Sequence, residues 1–148
     1  MRVALLLHVL SAVVWVGGMF LAYLAVRPAA LEALEPPQRL RLWGGILRRF
    51  FVWVWAAIVL LLLTGFTMMG EMERVPGYVQ AMAGIGIVMM AVFLYAYFAP
   101  FRRLKGAVAA ADWKAGGAAL TQIRVLVGVN LALGLITVAV AVLGPGLR

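Results

Sequence analysis

The sequence has no cysteine, one histidine and five acidic residues among 148. Without cysteine there is no disulfide, thiolate metal site, cysteine nucleophile or CxxC redox pair. No Asp, Glu, Lys or Arg lies well inside any long apolar stretch. Proton relays and charged transport pathways usually need such intramembrane ionisable groups. A Ser-His-Asp arrangement lacks its buried acid, and a catalytic zinc site lacks its three ligands. Paired carboxylates for glycoside cleavage are missing as well. Hydrolase chemistry is not expected.

What is present is apolar: 66% of residues are hydrophobic and 12% charged, with a mean hydropathy of +1.07. Soluble domains run about 45–50% apolar and about 25% charged. Four runs dominate, about 3–26, 50–69, 78–99 and 125–143. Each matches the roughly 20 apolar residues that a spanning helix needs. Arg2 and the stretch Leu21-Ala-Tyr-Leu-Ala25 give the first run some likeness to a signal peptide. It exceeds the usual apolar region of about 7–15 residues and reads as a span. The expected fold is an all-α membrane protein, one domain over 1–148, with four transmembrane helices and two short amphipathic cytoplasmic helical connections.

Charge sets the orientation. The net charge is +8 and the pI about 11.2. Nucleic acid is not an expected partner, because a basic groove with stacking aromatics needs a water-exposed surface. The first and third connections hold Arg27, Arg39, Arg41, Arg48, Arg49, Arg102, Arg103, Lys105, Lys114 and Arg124, against Arg2, Arg74 and Arg148 on the other side. Cytoplasmic loops carry the Lys/Arg excess, so both termini are expected in the periplasm of a bacterial inner membrane. Pro36-Pro37 suits a helix start, with Leu40, Trp43 and Leu47 at helical spacing behind it. The second basic connection, Phe101 to Arg124, is expected to break at Gly116-Gly117, with Trp113 as an interfacial anchor against anionic lipid.

Helices in a bilayer meet through small and polar residues, since lipid is itself apolar. His8, Ser11, Ala12, Trp15, Gly18 and Ala22 form such a stripe in the first run. Trp53, Ala57, Leu60, Thr64 and Met68 form one in the second. The third offers Met82, Gly86, Met89 and Phe93, and the fourth Asn130, Gly134, Thr137 and Ala141. These stripes should face one another in a bundle, and they would permit a homodimer. His8 lies some five residues inside its run, about 8 Å deep at 1.5 Å per residue. The same outer layer collects Thr64, Thr67, Met68 and Met82.

One imidazole can ligate haem iron, and methionine thioethers suit Cu(I). His8 with Met68, Met69 or Met82 could serve either, while helix packing explains the same residues without a cofactor. A copper ion or haem b is therefore expected at His8 and Met82, with Met68 a further ligand and Trp15 an apolar floor. Ser11, Thr64 and Thr137 are expected around them, Ser11 or Thr137 orienting the ring. The remaining reading is an accessory membrane subunit without a cofactor. Gly17-Gly18 and Gly84-x-Gly86 are packing positions, since no phosphate-cradling motif surrounds them.

Three segments resemble the CopD family of bacterial copper-resistance membrane proteins. They are His8-Val-Leu-Ser-Ala-Val-Val-Trp15-Val-Gly17-Gly18 continuing to Arg27-Pro28, Arg49-Phe-Phe51 leading to Leu63-Thr64-Gly65, and Arg124 through Asn130 to Gly134. The resemblance implies copper binding or movement at a site facing the periplasm. The first segment is also similar to the HemJ-type protoporphyrinogen oxidases, a four-helix family associated with haem. Those pair the first-span histidine with a lysine near the start of the third span. Here Gly77-Tyr-Val-Gln80-Ala-Met82 resembles that segment with Met82 in the lysine's place, a departure that counts against oxidase activity.

Overall fold

The computed structural model describes residues 1–146. Arg148, counted above for orientation, lies outside them. Four helical rods are long and apolar enough to cross a membrane: Arg2–Ala33, Pro36–Gly70, Gly77–Ala109 and Trp113–Gly146. At 32 to 35 residues each is about 50 Å long, well beyond the roughly 30 Å of hydrocarbon. The basic connections continue the spanning rods, and the short helices Arg27–Ala33 and Pro100–Ala109 form part of them.

The first rod is α1 (Arg2–Leu21) followed by a π-helical turn over Ala22–Val26 and α2 (Arg27–Ala33). The apolar run ends at about residue 26, with Arg27-Pro28 expected to close it, yet the helix passes this point for a local reason. Pro28 cannot donate to a preceding carbonyl, and its ring would crowd one in a regular helix. The wide turn just before it, in which the Arg27 N–H bonds the Ala22 carbonyl, admits the proline without ending the rod.

The second rod, α3 (Pro36–Gly70), starts where Pro36-Pro37 suggested. Glu35 and Gln38 form a reciprocal capping box there. The third is α4 (Gly77–Phe98) bent at Ala99-Pro100 into α5 (Pro100–Ala109). The chain then turns at Ala111, whose φ of 53° is the one left-handed non-glycine among the described residues. The Asp112 side chain caps the next helix by accepting from the Ala115 N–H at 3.1 Å. That helix, α6 (Trp113–Leu143), runs unbroken through Gly116-Gly117. The expected break falls at 110–112 instead. Gly116 is a contact point, where a Cβ would stand 3.2 Å from Leu40 Cδ1.

The rods alternate in direction. α1 packs chiefly on α3 and α4 on α6, with α1 and α4 at opposite corners. Met1, the 71–76 turn and Gly144 therefore share one end, the terminal end, with Arg2 and Arg74, and the other ten Lys and Arg of the described residues collect at the opposite, arginine end. An aromatic seam binds the middle to the arginine end. Phe51 meets Phe93 at 5.3 Å and Phe101 at 4.8 Å, both edge to face, and Trp55 meets Tyr97 at 5.5 Å. Below it Leu40, Trp43 and Leu47 are buried with Leu104, Ala119 and Ile123. These residues make a protein core, where an interfacial helix resting on lipid was expected.

Candidate functional site

Residues 8, 11 and 15 lie on one face of α1 because they are three, four and seven apart. That face meets α3, and His8 is half-buried there, with Ser11 and Trp15 buried behind it. His8 Nδ1 lies 2.8 Å from Thr64 Oγ1. The Thr64 hydroxyl in turn donates to the Leu60 carbonyl at 2.5 Å. A hydroxyl has one proton, and here the backbone takes it. With that proton on the backbone, Oγ1 is free to accept from His8, which requires the tautomer with its proton on Nδ1 and leaves Nε2 with a bare lone pair. Gly65 adds a flat step beside Thr64, its missing Cβ 3.5 Å from His8 Cε1. Nε2 makes no hydrogen bond to the described residues.

This geometry corrects the expected ring partner. Ser11 donates to Leu7 at 2.7 Å and Thr137 to Leu133 at 2.8 Å, each on its own helix. Thr64 holds the imidazole. Thr67 is also misplaced by the sequence reading, since it is exposed and donates to its own Leu63 carbonyl. Trp53 likewise turns outward at 64% exposure, and Val54 takes the inward place on α3.

The other expected ligands are positioned less tightly. Met68 is half-buried on α3, one turn nearer the terminal end than Thr64. Met82 is half-buried on α4, the opposite corner from α1. Two contacts across the bundle fix relative depth. Trp15 meets Phe93 at 6.3 Å, and Val16 and Met89 both lie against Gly134. His8, seven or eight residues toward the terminal end, comes level with about residues 81–86 of α4. Trp15, one turn deeper than Ser11, closes the face below His8. Among the described residues no group of three or more His, Cys, Asp or Glu could hold a metal ion.

A second polar group lies deeper and was not assigned a role from the sequence. Asn130 is buried, its Nδ2 donating to the Met89 carbonyl at 3.0 Å while Oδ1 has no partner. It ties α6 to α4. The aromatic seam was missed as well, although Phe51, Trp55 and Phe93, Tyr97, Phe101 repeat at helical spacing of four. A basic cavity at the arginine end needs three helices to form and has no linear signal.

Residues 44–143 match the family of copper resistance protein D, CopD. The chain belongs to the CopD family. The match starts within α3 and runs to the end of α6, so it includes Thr64, Met68, Met82 and Asn130 and leaves α1 with His8 outside. No curated protein and no solved structure matches the chain. With four spanning helices, this CopD protein is a multi-pass membrane protein of a copper-resistance family.

Proposed function

We propose that this CopD protein handles copper at its terminal end, with His8 Nε2 as the nitrogen donor and methionine thioethers as its partners. The hydrogen-bond chain from His8 through Thr64 to Leu60 carries the reading. A ligating histidine usually donates its other N–H to a fixed acceptor, which sets tautomer and ring orientation. Thr64 supplies that acceptor here. One imidazole with thioether sulfurs is a soft, uncharged donor set, which suits Cu(I) better than zinc or Cu(II). Met68 belongs to the helix that holds His8, and Met82 lies at comparable depth across the bundle. Trp15 would keep water from reaching the ion from below.

The excess of Lys and Arg at the opposite end supports an inner-membrane orientation with both termini, and hence this site, toward the periplasm. Labelling of Arg2→Cys from outside intact cells, with Lys105→Cys protected, is the expected result. The reverse pattern would turn the site toward the cytoplasm.

Cu(I) uptake by the purified protein tests the site itself. Wild type should bind one Cu(I) per chain in competition with a chromogenic chelator. His8→Ala should lose that binding while keeping its helical circular dichroism, and Met82→Leu, which roughly preserves volume, should weaken it. Unchanged uptake in His8→Ala would end the proposal. An optical spectrum of the same sample covers the alternative ligand: a Soret band shifting on reduction would make His8 an axial ligand of haem b instead. A protein that takes up neither would be an accessory subunit.

A further inference from the structure

A cavity of about 400 Å³ opens at the arginine end, between the last turns of the first rod, the first half of α3 and the start of α6. Ligand sites fall in the range of roughly 300–1,000 Å³. Arg27, Arg39 and Arg124 line it, and its lining includes no Asp or Glu. The three guanidinium groups come from three different helices, so only the folded bundle brings them together. Among the described residues none of them is paired with a carboxylate. Arg27 lies over the Tyr23 ring at 5.6 Å, and stacking on its face leaves the N–H edge free to donate. Arg39 gives one N–H to the Leu34 carbonyl at 3.3 Å, of the five it carries.

The rest of the lining is apolar and reaches toward the bilayer. From Pro36 to Phe50, both in the wall, α3 rises about 21 Å. The floor is made by Phe50, whose ring covers Gly18, and by Tyr23, whose Cε2 would stand 3.1 Å from a Cβ on Gly128. Either glycine with a side chain would displace the ring that closes the cavity. The π-turn at Ala22–Val26 forms part of the same wall, since Ala22 and Tyr23 both line it. Cations without counter-charge and an apolar slot in the same cavity match one kind of occupant. That occupant has an anionic phosphate joined to a hydrocarbon chain.

We propose that this cavity holds the headgroup phosphate of an anionic phospholipid from the adjoining leaflet, with the upper part of one acyl chain against Leu47, Phe50 and Val127. Arginine forks match phosphate oxygens bidentately, and basic pockets between spanning helices hold acidic headgroups. A soluble phosphate ester would satisfy the arginines but would leave the apolar slot in contact with water. The cavity is thus a lipid site and stands apart from His8, at the other end of the bundle.

Native mass spectrometry of the full chain tests this after reconstitution in vesicles of equal phosphatidylglycerol and phosphatidylcholine. One phosphatidylglycerol per chain should survive a detergent wash that removes phosphatidylcholine. Arg27→Gln with Arg124→Gln should lower its retention about tenfold. Arg48→Gln with Arg102→Gln, exposed positions outside the cavity, should leave it unchanged. Equal loss in both double variants, no preference between the lipids, or displacement by millimolar glycerol 3-phosphate would overturn the site. A second measurement needs no variant. Trp43 and Trp113 line the cavity, so phosphatidylglycerol with brominated acyl chains should quench tryptophan fluorescence beyond brominated phosphatidylcholine. Equal quenching by both would contradict the proposal.

Discussion

At the arginine end Leu104 is 0% and Phe101 2% exposed, whereas at the terminal end Val142 is 72% and Leu63 62% exposed. The difference reflects two solvents. α5 carries Arg102, Arg103 and Lys105 on its exposed face, so its apolar face packs inward as in a soluble protein, driven by removal from water. Along the spans lipid is as apolar as leucine, and outward leucines cost nothing. One end is therefore a packed foundation that fixes the crossing of the rods. The other is looser and leaves His8, Met68 and Met82 half-buried. The copper site proposed at His8, which would have to admit and release an ion, fits the second kind of end.

Deleting side chains at the two ends should break the symmetry most visibly. Leu104→Ala is expected to lower stability by about 3 kcal/mol, as for a fully buried leucine. Val142→Ala should change it by less than about 0.5 kcal/mol. Reversible unfolding in mixed micelles would show it, and equal effects would deny that the ends differ in packing. Next comes Thr64→Val, nearly the same in shape. Removing the group that orients a metal-binding histidine typically costs about 10–100-fold in affinity. The expectation is a Cu(I) affinity lowered within that range, with little change in unfolding. An unfolding defect with normal Cu(I) affinity would make Thr64 a packing residue only.

A small effect is expected between the ends. Asn130→Ala loses a bond to the Met89 carbonyl, worth on average about 0.6 kcal/mol in a membrane bundle. It also removes the unpartnered Oδ1, which offsets part of that loss. The net change in unfolding should stay under about 1 kcal/mol. A much larger loss would mean that the middle, and not the arginine end, anchors the bundle.

Much of this was legible in the residues, for reasons that also explain what was not. His8, Ser11 and Trp15, and Met89 with Phe93, turn inward at the spacings their stripe gave. Trp53 broke that pattern, and Thr67 left the polar layer expected near His8, because lipid does not penalise an outward tryptophan or a hydroxyl bonded to its own helix. The same property released Ser11 and Thr137 from His8. Their hydroxyls had a nearer acceptor one turn back, and only the register of α1 on α3 singles out Thr64. Pro28 and the Gly116-Gly117 pair read as stops, yet a π-turn absorbs the proline and Leu40 fills the space beside Gly116. The arginine cavity could not be read at all, since its three cations are far apart in sequence.

His8 is the only histidine in the chain, so protein labelled with ¹⁵N at histidine alone reports that ring without overlap. The ring is expected to be neutral, with the proton on Nδ1 and a bare Nε2. Addition of Cu(I) should shift Nε2 and leave the Nδ1 proton in place. In Thr64→Val the two tautomers should mix. A proton found on Nε2, or an Nε2 signal that Cu(I) does not move, would contradict the copper site at its centre.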